Sequence, residues 1–182
     1  RATAPILHLH RGATRLRFAR SRWRLAGLTV TALAVSRQSN RTTQTMTKSV
    51  SPQEALIYVM VTMSAADRTM TDSELRRIGG IVQNLPVFRD FDKERLVAVA
   101  EECGDLLNEE NSLDTVLDLV TAALPPKYYD TAYALAVDVA AADLDVEQEE
   151  LRLLQLLRDH FDLDPLVSAA IERAARARFR TI

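Results

Sequence analysis

Apolar residues recur at helical spacing along most of the chain after Lys48. Ala55, Leu56, Val59, Met60 and Met63 keep the i, i+3, i+4 rhythm of a helix burying one face, and Leu75, Ile78, Ile81, Val82 and Leu85 keep it again until Pro86 stops them. The same rhythm predicts a third helix over Asp92 to Leu107 and a fourth over Ser112 to Leu124. Pro125 and Pro126 end the fourth, because neither ring nitrogen can donate a hydrogen bond and each restricts its predecessor. A fifth helix is expected over Tyr128 to Ala142, a sixth over Glu147 to Phe161, and a seventh from Pro165, a good first-turn residue, toward Phe179. No segment alternates as a half-buried strand does. The pattern predicts an all-α fold, a compact bundle of about seven short helices.

Part of this pattern occurs twice. Ala65-Ala66-Asp67 leads to Glu74-Leu75-Arg76, and 76 residues later Ala141-Ala142-Asp143 leads to Glu150-Leu151-Arg152. In each copy an apolar run ends on the Asp, an apolar residue (Met70 or Val146) follows three positions on, and a Glu follows seven positions on. Repetition of this kind implies one supersecondary unit used twice, so the bundle is expected to have internal two-fold pseudo-symmetry.

Charge divides the chain into two kinds of polypeptide. Residues 1 to 48 hold nine Arg, one Lys and no acid, a charge of +10, whereas residues 49 to 182 hold 13 basic and 25 acidic residues, a charge of −12. The acidic part has the size of one domain with its own core, which assigns 49–182 to the helical domain and 1–48 to a basic N-terminal extension, disordered or non-native. Its Arg-rich, acid-free composition has the look of an organellar transit peptide. Leu25 to Ala34 faintly resembles a signal-peptide apolar stretch, though one far too short to span a bilayer. The other reading is an extension upstream of Met46. Residues 1 to 45, with His8 and His10, are therefore left out of the expected fold.

The repeated acids are the candidate chemistry. On one unbroken helix Asp67 and Glu74 would lie about 10 Å apart along the axis, too far to share a cation held at about 2.5 Å. A corner between them would bring them together, and Thr69 and its counterpart Asp145 are N-cap residues suited to follow one. Five of the eight residues from Asp143 to Glu150 are acidic and none is basic, a concentration that repels itself unless solvated, screened or cation-bound. The candidate metal ligands are thus Asp67, Glu74, Asp143, Asp145, Glu147 and Glu150. The plainer alternative is a solvated acidic rim, since acids near a helix N-terminus are favoured by the macrodipole and by the unpaired amides there. Thr71 to Glu74 also fits a capping box. The second copy weakens that as a full account, because the residue matching Thr71 is Glu147, a poor cap, and yet the Glu persists at 150.

At these residues the chain resembles the tellurite-resistance TerB family, which is related to the N-terminal region of certain membrane-anchored DnaJ-like proteins. The resemblance covers about Pro52 to Phe161. It implies a seven-helix bundle with internal pseudo-symmetry, acidic residues proposed to bind metal ions, and a role in resistance to tellurite and chemical stress beside membrane and other Ter-type protein partners. Asp67 and Glu74 match the positions of the first motif, Asp143 and Glu150 those of the second. The family commonly has Gly after the Asp. This chain has Arg68 and Leu144 instead, which removes the residue suited to a positive-φ turn and sets a cation beside Asp67.

Other chemistries fit less well. Asp143, Asp145 and Glu147 alternate as in an EF-hand loop, but Gln148 stands where Gly is required and Leu154 where a bidentate Glu is required. The domain has one Cys, Cys103, on the apolar rhythm of the third helix, and one His, His160, at the end of the sixth, so a zinc site is not expected. No nucleophile constellation, His-Pro-Asp tripeptide or Glu-x-x-His pair occurs, and the expectation is a non-enzyme. A domain at −12 is a poor nucleic-acid ligand. Only the last helix is basic: Arg173, Arg176, Arg178 and Arg180 either dock on an anionic membrane or acidic protein surface, or simply complement the helix dipole. A lone cysteine fits a reducing compartment. The expectation is therefore a cytoplasmic stress-response protein, at most peripheral to the inner membrane face, that binds a divalent cation of unspecified identity. The alternative is a metal-independent helical interaction module.

Overall fold

The computed structural model describes residues 49–65, 70–109, 112–143 and 148–182, with only the backbone of Asp143. These form seven α-helices: α1 Pro52–Ser64, α2 Asp72–Asn84, α3 Leu96–Leu107, α4 Ser112–Ala123, α5 Tyr129–Ala140, α6 Gln148–His160 and α7 Pro165–Arg178. Among the described residues there is no strand. The expected third helix opens as a separate 3-10 turn over Lys93–Arg95, capped by the Asp92 carboxylate, which accepts from the Glu94 N–H. The expected end of the fifth is likewise a 3-10 turn, Ala141–Asp143.

α1 forms the centre. Ser51 caps it, Pro52 occupies its first turn, and the Ser51 hydroxyl and Glu54 carboxylate exchange backbone bonds in a capping box. Every residue from Glu54 to Ser64 is buried, as expected of a helix apolar on nearly all sides, and α2, α3, α4 and α5 all pack on it. α5 lies against α1 and carries α6 and α7 on its other sides. Two partly buried polar clusters tie the layers. Arg95 reaches back 2.5 Å to Glu54, which clamps the start of α1 to the turn before α3. The fully buried Tyr133 of α5 donates to Glu172 of α7 at 2.6 Å, and Arg158 of α6 approaches the same oxygen at 3.5 Å.

The helix pairs repeat in register. Adding 76 to the bounds of α2 gives those of α6, and the buried residues Leu56, Ile57, Val59, Met60, Val61 and Met63 of α1 match Ala132, Tyr133, Leu135, Ala136, Val137 and Val139 of α5, all buried. Their ends differ. α2 stops because Leu85 is extended ahead of Pro86. α6 stops in a Schellman turn: Leu163 N–H bonds the Arg158 carbonyl at 3.1 Å and Asp162 N–H the Asp159 carbonyl at 3.3 Å, with Asp162 at φ 47°. Asp is one of the few residues other than Gly that tolerates that region.

Candidate functional site

The two corners lie where α1 hands over to α2 and where α5 hands over to α6. Glu74 and Glu150 each occupy the third position of the helix that follows, α2 and α6 respectively. Asp67, Asp145 and Glu147 lie outside the described residues, and of Asp143 only the backbone is described, at the end of the Ala141–Asp143 turn. The structure therefore shows one carboxylate of each corner, at matching positions.

At the first corner that carboxylate is engaged. The cap of α2 is Thr71, as the Thr71-x-x-Glu74 signature indicates and two residues later than Thr69, and Thr71 and Glu74 form a reciprocal capping box. Thr71 N–H donates to Glu74 Oε2 at 2.5 Å, and Glu74 N–H donates to Thr71 Oγ1 at 3.3 Å. The reason is geometric: only a residue three positions before the Glu lets both side chains reach the other's amide. One carboxylate oxygen of Glu74 is thus committed to the backbone. Ser64, at the end of α1, has a buried hydroxyl with no hydrogen-bond partner among the described residues. At the second corner the position equivalent to Thr71 is Glu147, which cannot offer the same hydroxyl cap, while Glu150 keeps its place.

Among the described residues no three His, Cys, Asp or Glu side chains gather closely enough to hold a metal ion. A full ligand set at either corner would have to draw on the carboxylates before α2 and α6. The other titratable candidates have structural roles. Burial pushes the Cys103 thiol up to about 12, against a weaker opposing effect of the Thr62 hydroxyl, so it is a core thiol and not a thiolate nucleophile. His160 ends α6 with Nε2 2.7 Å from Thr121 Oγ1.

Sequence patterning missed the Glu54–Arg95 and Tyr133–Glu172–Arg158 clusters. Ser51-x-x-Glu54 carries the capping-box signature and marks half of the first. Partners 41 and 39 residues apart leave no local signal. Burial tends to raise the Glu54 carboxyl, but the Ser51 amide and hydroxyl and the Arg95 guanidinium outweigh it and hold the group below its ordinary value.

Among the described residues no helix is long and apolar enough to cross a membrane. A search of curated proteins and one of solved structures gave no match. A family model described as tellurite resistance protein TerB matches residues 53–173, which takes in both corners and all seven helices in whole or in part. The chain belongs to the TerB family.

Proposed function

We propose that this chain serves a tellurite and chemical stress response without catalysing a reaction, by taking up a divalent cation at the acidic corners between α1 and α2 and between α5 and α6. The observation that carries this reading is the recurrence of Glu at the third position of both α2 and α6, although only the first has a Thr to pair with it in a capping box. Capping accounts for Glu74. Behind Glu147 no hydroxyl can complete that box at Glu150, whereas a shared need for carboxylates accounts for a Glu at both positions. Asp67, Asp143, Asp145 and Glu147 are the further ligands in this reading, in a cytoplasmic protein that works beside membrane-associated Ter-type partners. The capping box favours a second reading, a metal-independent interaction module in which these acids serve only the helix ends.

Thermal unfolding separates the two. A cation bound only by the folded state raises the melting temperature with its concentration. The variant Asp143→Asn/Glu150→Gln keeps the shape, loses that rise, and is at least as stable without ions because carboxylate repulsion is reduced. If sodium chloride at equal ionic strength reproduces the rise, or the rise persists in the variant, the corners do not bind the ion and the interaction module stands.

A further inference from the structure

Among the described residues, two helices turn unpartnered faces outward, and their patterns complement each other. On α7, Ser168 and Ala175 are buried and Ile171 and Glu172 half-buried, while Leu166, Val167, Ala170, Arg173, Ala174 and Arg176 are exposed, Leu166 to 81%. On α3, Val99, Ala100 and Cys103 face the core, while Val97, Ala98, Glu101 and Asp105 are exposed, Val97 to 49%. Each outer face is apolar at its N-terminal end and charged toward its C-terminal end, basic on α7 and acidic on α3. No basic residue occurs between Leu96 and Pro126, so the segment that carries Glu101 and Asp105 is acidic throughout.

We propose that the outer face of α7 docks on the outer face of α3 in a second copy of this chain. Laid parallel, Leu166 and Val167 meet Val97 and Ala98. Arg173, seven positions beyond Leu166, then falls between Glu101 and Asp105, four and eight positions beyond Val97. At 1.5 Å per residue the offsets agree to within about one turn, and the alanines of α7 permit close helix approach. Arg178 is already paired with Asp138 of α5, so Arg173, Arg176 and the exposed Arg180 carry the contact. The full chain has a net charge of only −2, which leaves little overall repulsion between copies. Because the two faces differ, the contact is heterologous: copies add head to tail instead of closing a two-fold dimer. Opposed charges at an exposed contact imply weak association that is sensitive to salt.

Sedimentation of the full chain, from low to high micromolar concentration in dilute buffer, tests this. The average mass should rise at least about twofold with concentration and fall back to the monomer in half-molar salt, where the screening length is only a few ångströms. Arg173→Glu/Arg176→Glu and Glu101→Lys/Asp105→Lys should each abolish the rise, and mixing these two variants should restore it, because the reversed faces again match. All four positions are exposed, and circular dichroism is to be used to check that each variant is folded; Arg173→Gln/Arg176→Gln serves if the reversal is not. A monomer at every concentration would overturn the proposal, as would association that the reversals leave intact or that mixing fails to restore. Two alternative outcomes also overturn it: the basic segment 1–48 covering α3 within one monomer, seen as a concentration-independent compaction lost in salt, or binding of the monomer to vesicles of anionic lipid without self-association.

Discussion

The α1–α2 pair and the α5–α6 pair are two solutions to the same packing problem, and their differences separate what the fold requires from what it does not. Both bury the same six apolar positions in the first helix, Leu56, Ile57, Val59, Met60, Val61 and Met63 and their counterparts, and start the second helix at the same offset. Yet the first copy starts α2 with Thr71 and ends it ahead of Pro86, whereas the second places Glu147 before α6 and ends it with Asp162 in the left-handed region. At position 54 a buried Glu pairs with Arg95, while its counterpart Asp130 is exposed and bonds the adjacent Thr131 amide. Start and stop signals are thus exchangeable, since each satisfies the same few end groups by a different route. The apolar frame and the Glu at the third helical position are kept.

The largest expected difference between the copies lies in their cores. Tyr133 and Ile57 occupy equivalent buried positions, but Tyr133 also holds Glu172. Tyr133→Ala should cost about 4 kcal/mol, from the volume lost together with the hydrogen bond to Glu172, and Tyr133→Phe only about 1 kcal/mol. Denaturant titration of both variants checks this, and equal costs would show that the hydroxyl contact decides.

A smaller effect tests the ion pair. Glu54→Gln should cost about 1.5 kcal/mol at neutral pH because it leaves the Ser51 amide and the exposed Arg95 guanidinium poorly matched at a buried side chain, while Asp130→Asn should cost almost nothing. The sign with pH follows from the depressed Glu54 carboxyl: its contribution is present above the ordinary value of 4.5 and is lost as pH falls through the lower folded value. Stability profiles of the parent and Glu54→Gln should therefore converge only at pH below about 4.5. Profiles that run parallel through that range would remove the pair from the account.

How much of this was legible in the sequence depended on the range of the interaction. The spacing of Leu75, Ile78 and Val82, and the prolines at 86 and 125, act within a turn or two, and they marked the helices and their stops to within a few residues. Cys103 fell on the buried rhythm of α3 for the same reason. Two caps were open for α2, Thr69 after the corner and Thr71 in a capping box with Glu74; either Thr can cap a helix, and the reciprocal bond to Glu74 decides for Thr71. The Arg95 and Glu172 contacts depend on how distant helices pack. Of the six acids singled out, Glu74 and Glu150 stand in register at the openings of α2 and α6; Asp67, Asp145 and Glu147, and the side chain of Asp143, lie outside the described residues.

The smallest effect addresses the corners themselves. Thr71→Ala should cost about 1 kcal/mol by removing the hydroxyl that accepts from the Glu74 amide. Glu147→Thr should do the reverse and stabilise by about 0.5 kcal/mol, because it supplies the hydroxyl of a Thr-x-x-Glu capping box ahead of Glu150. If melting curves show no gain, capping is not what the second corner is short of.

The claim that both corners keep their Glu for a cation is tested most directly by calorimetric titration of the full chain with calcium, magnesium, manganese and zinc, beside the same titrations of Asp143→Asn/Glu150→Gln and of Asp67→Asn/Glu74→Gln. The account predicts a saturable heat for at least one of these ions, reduced or lost in both variants and absent when sodium chloride is titrated at equal ionic strength. Heats that never saturate, or a saturable heat unchanged in both variants, would contradict it and leave the repeated glutamates as helix-end charges alone.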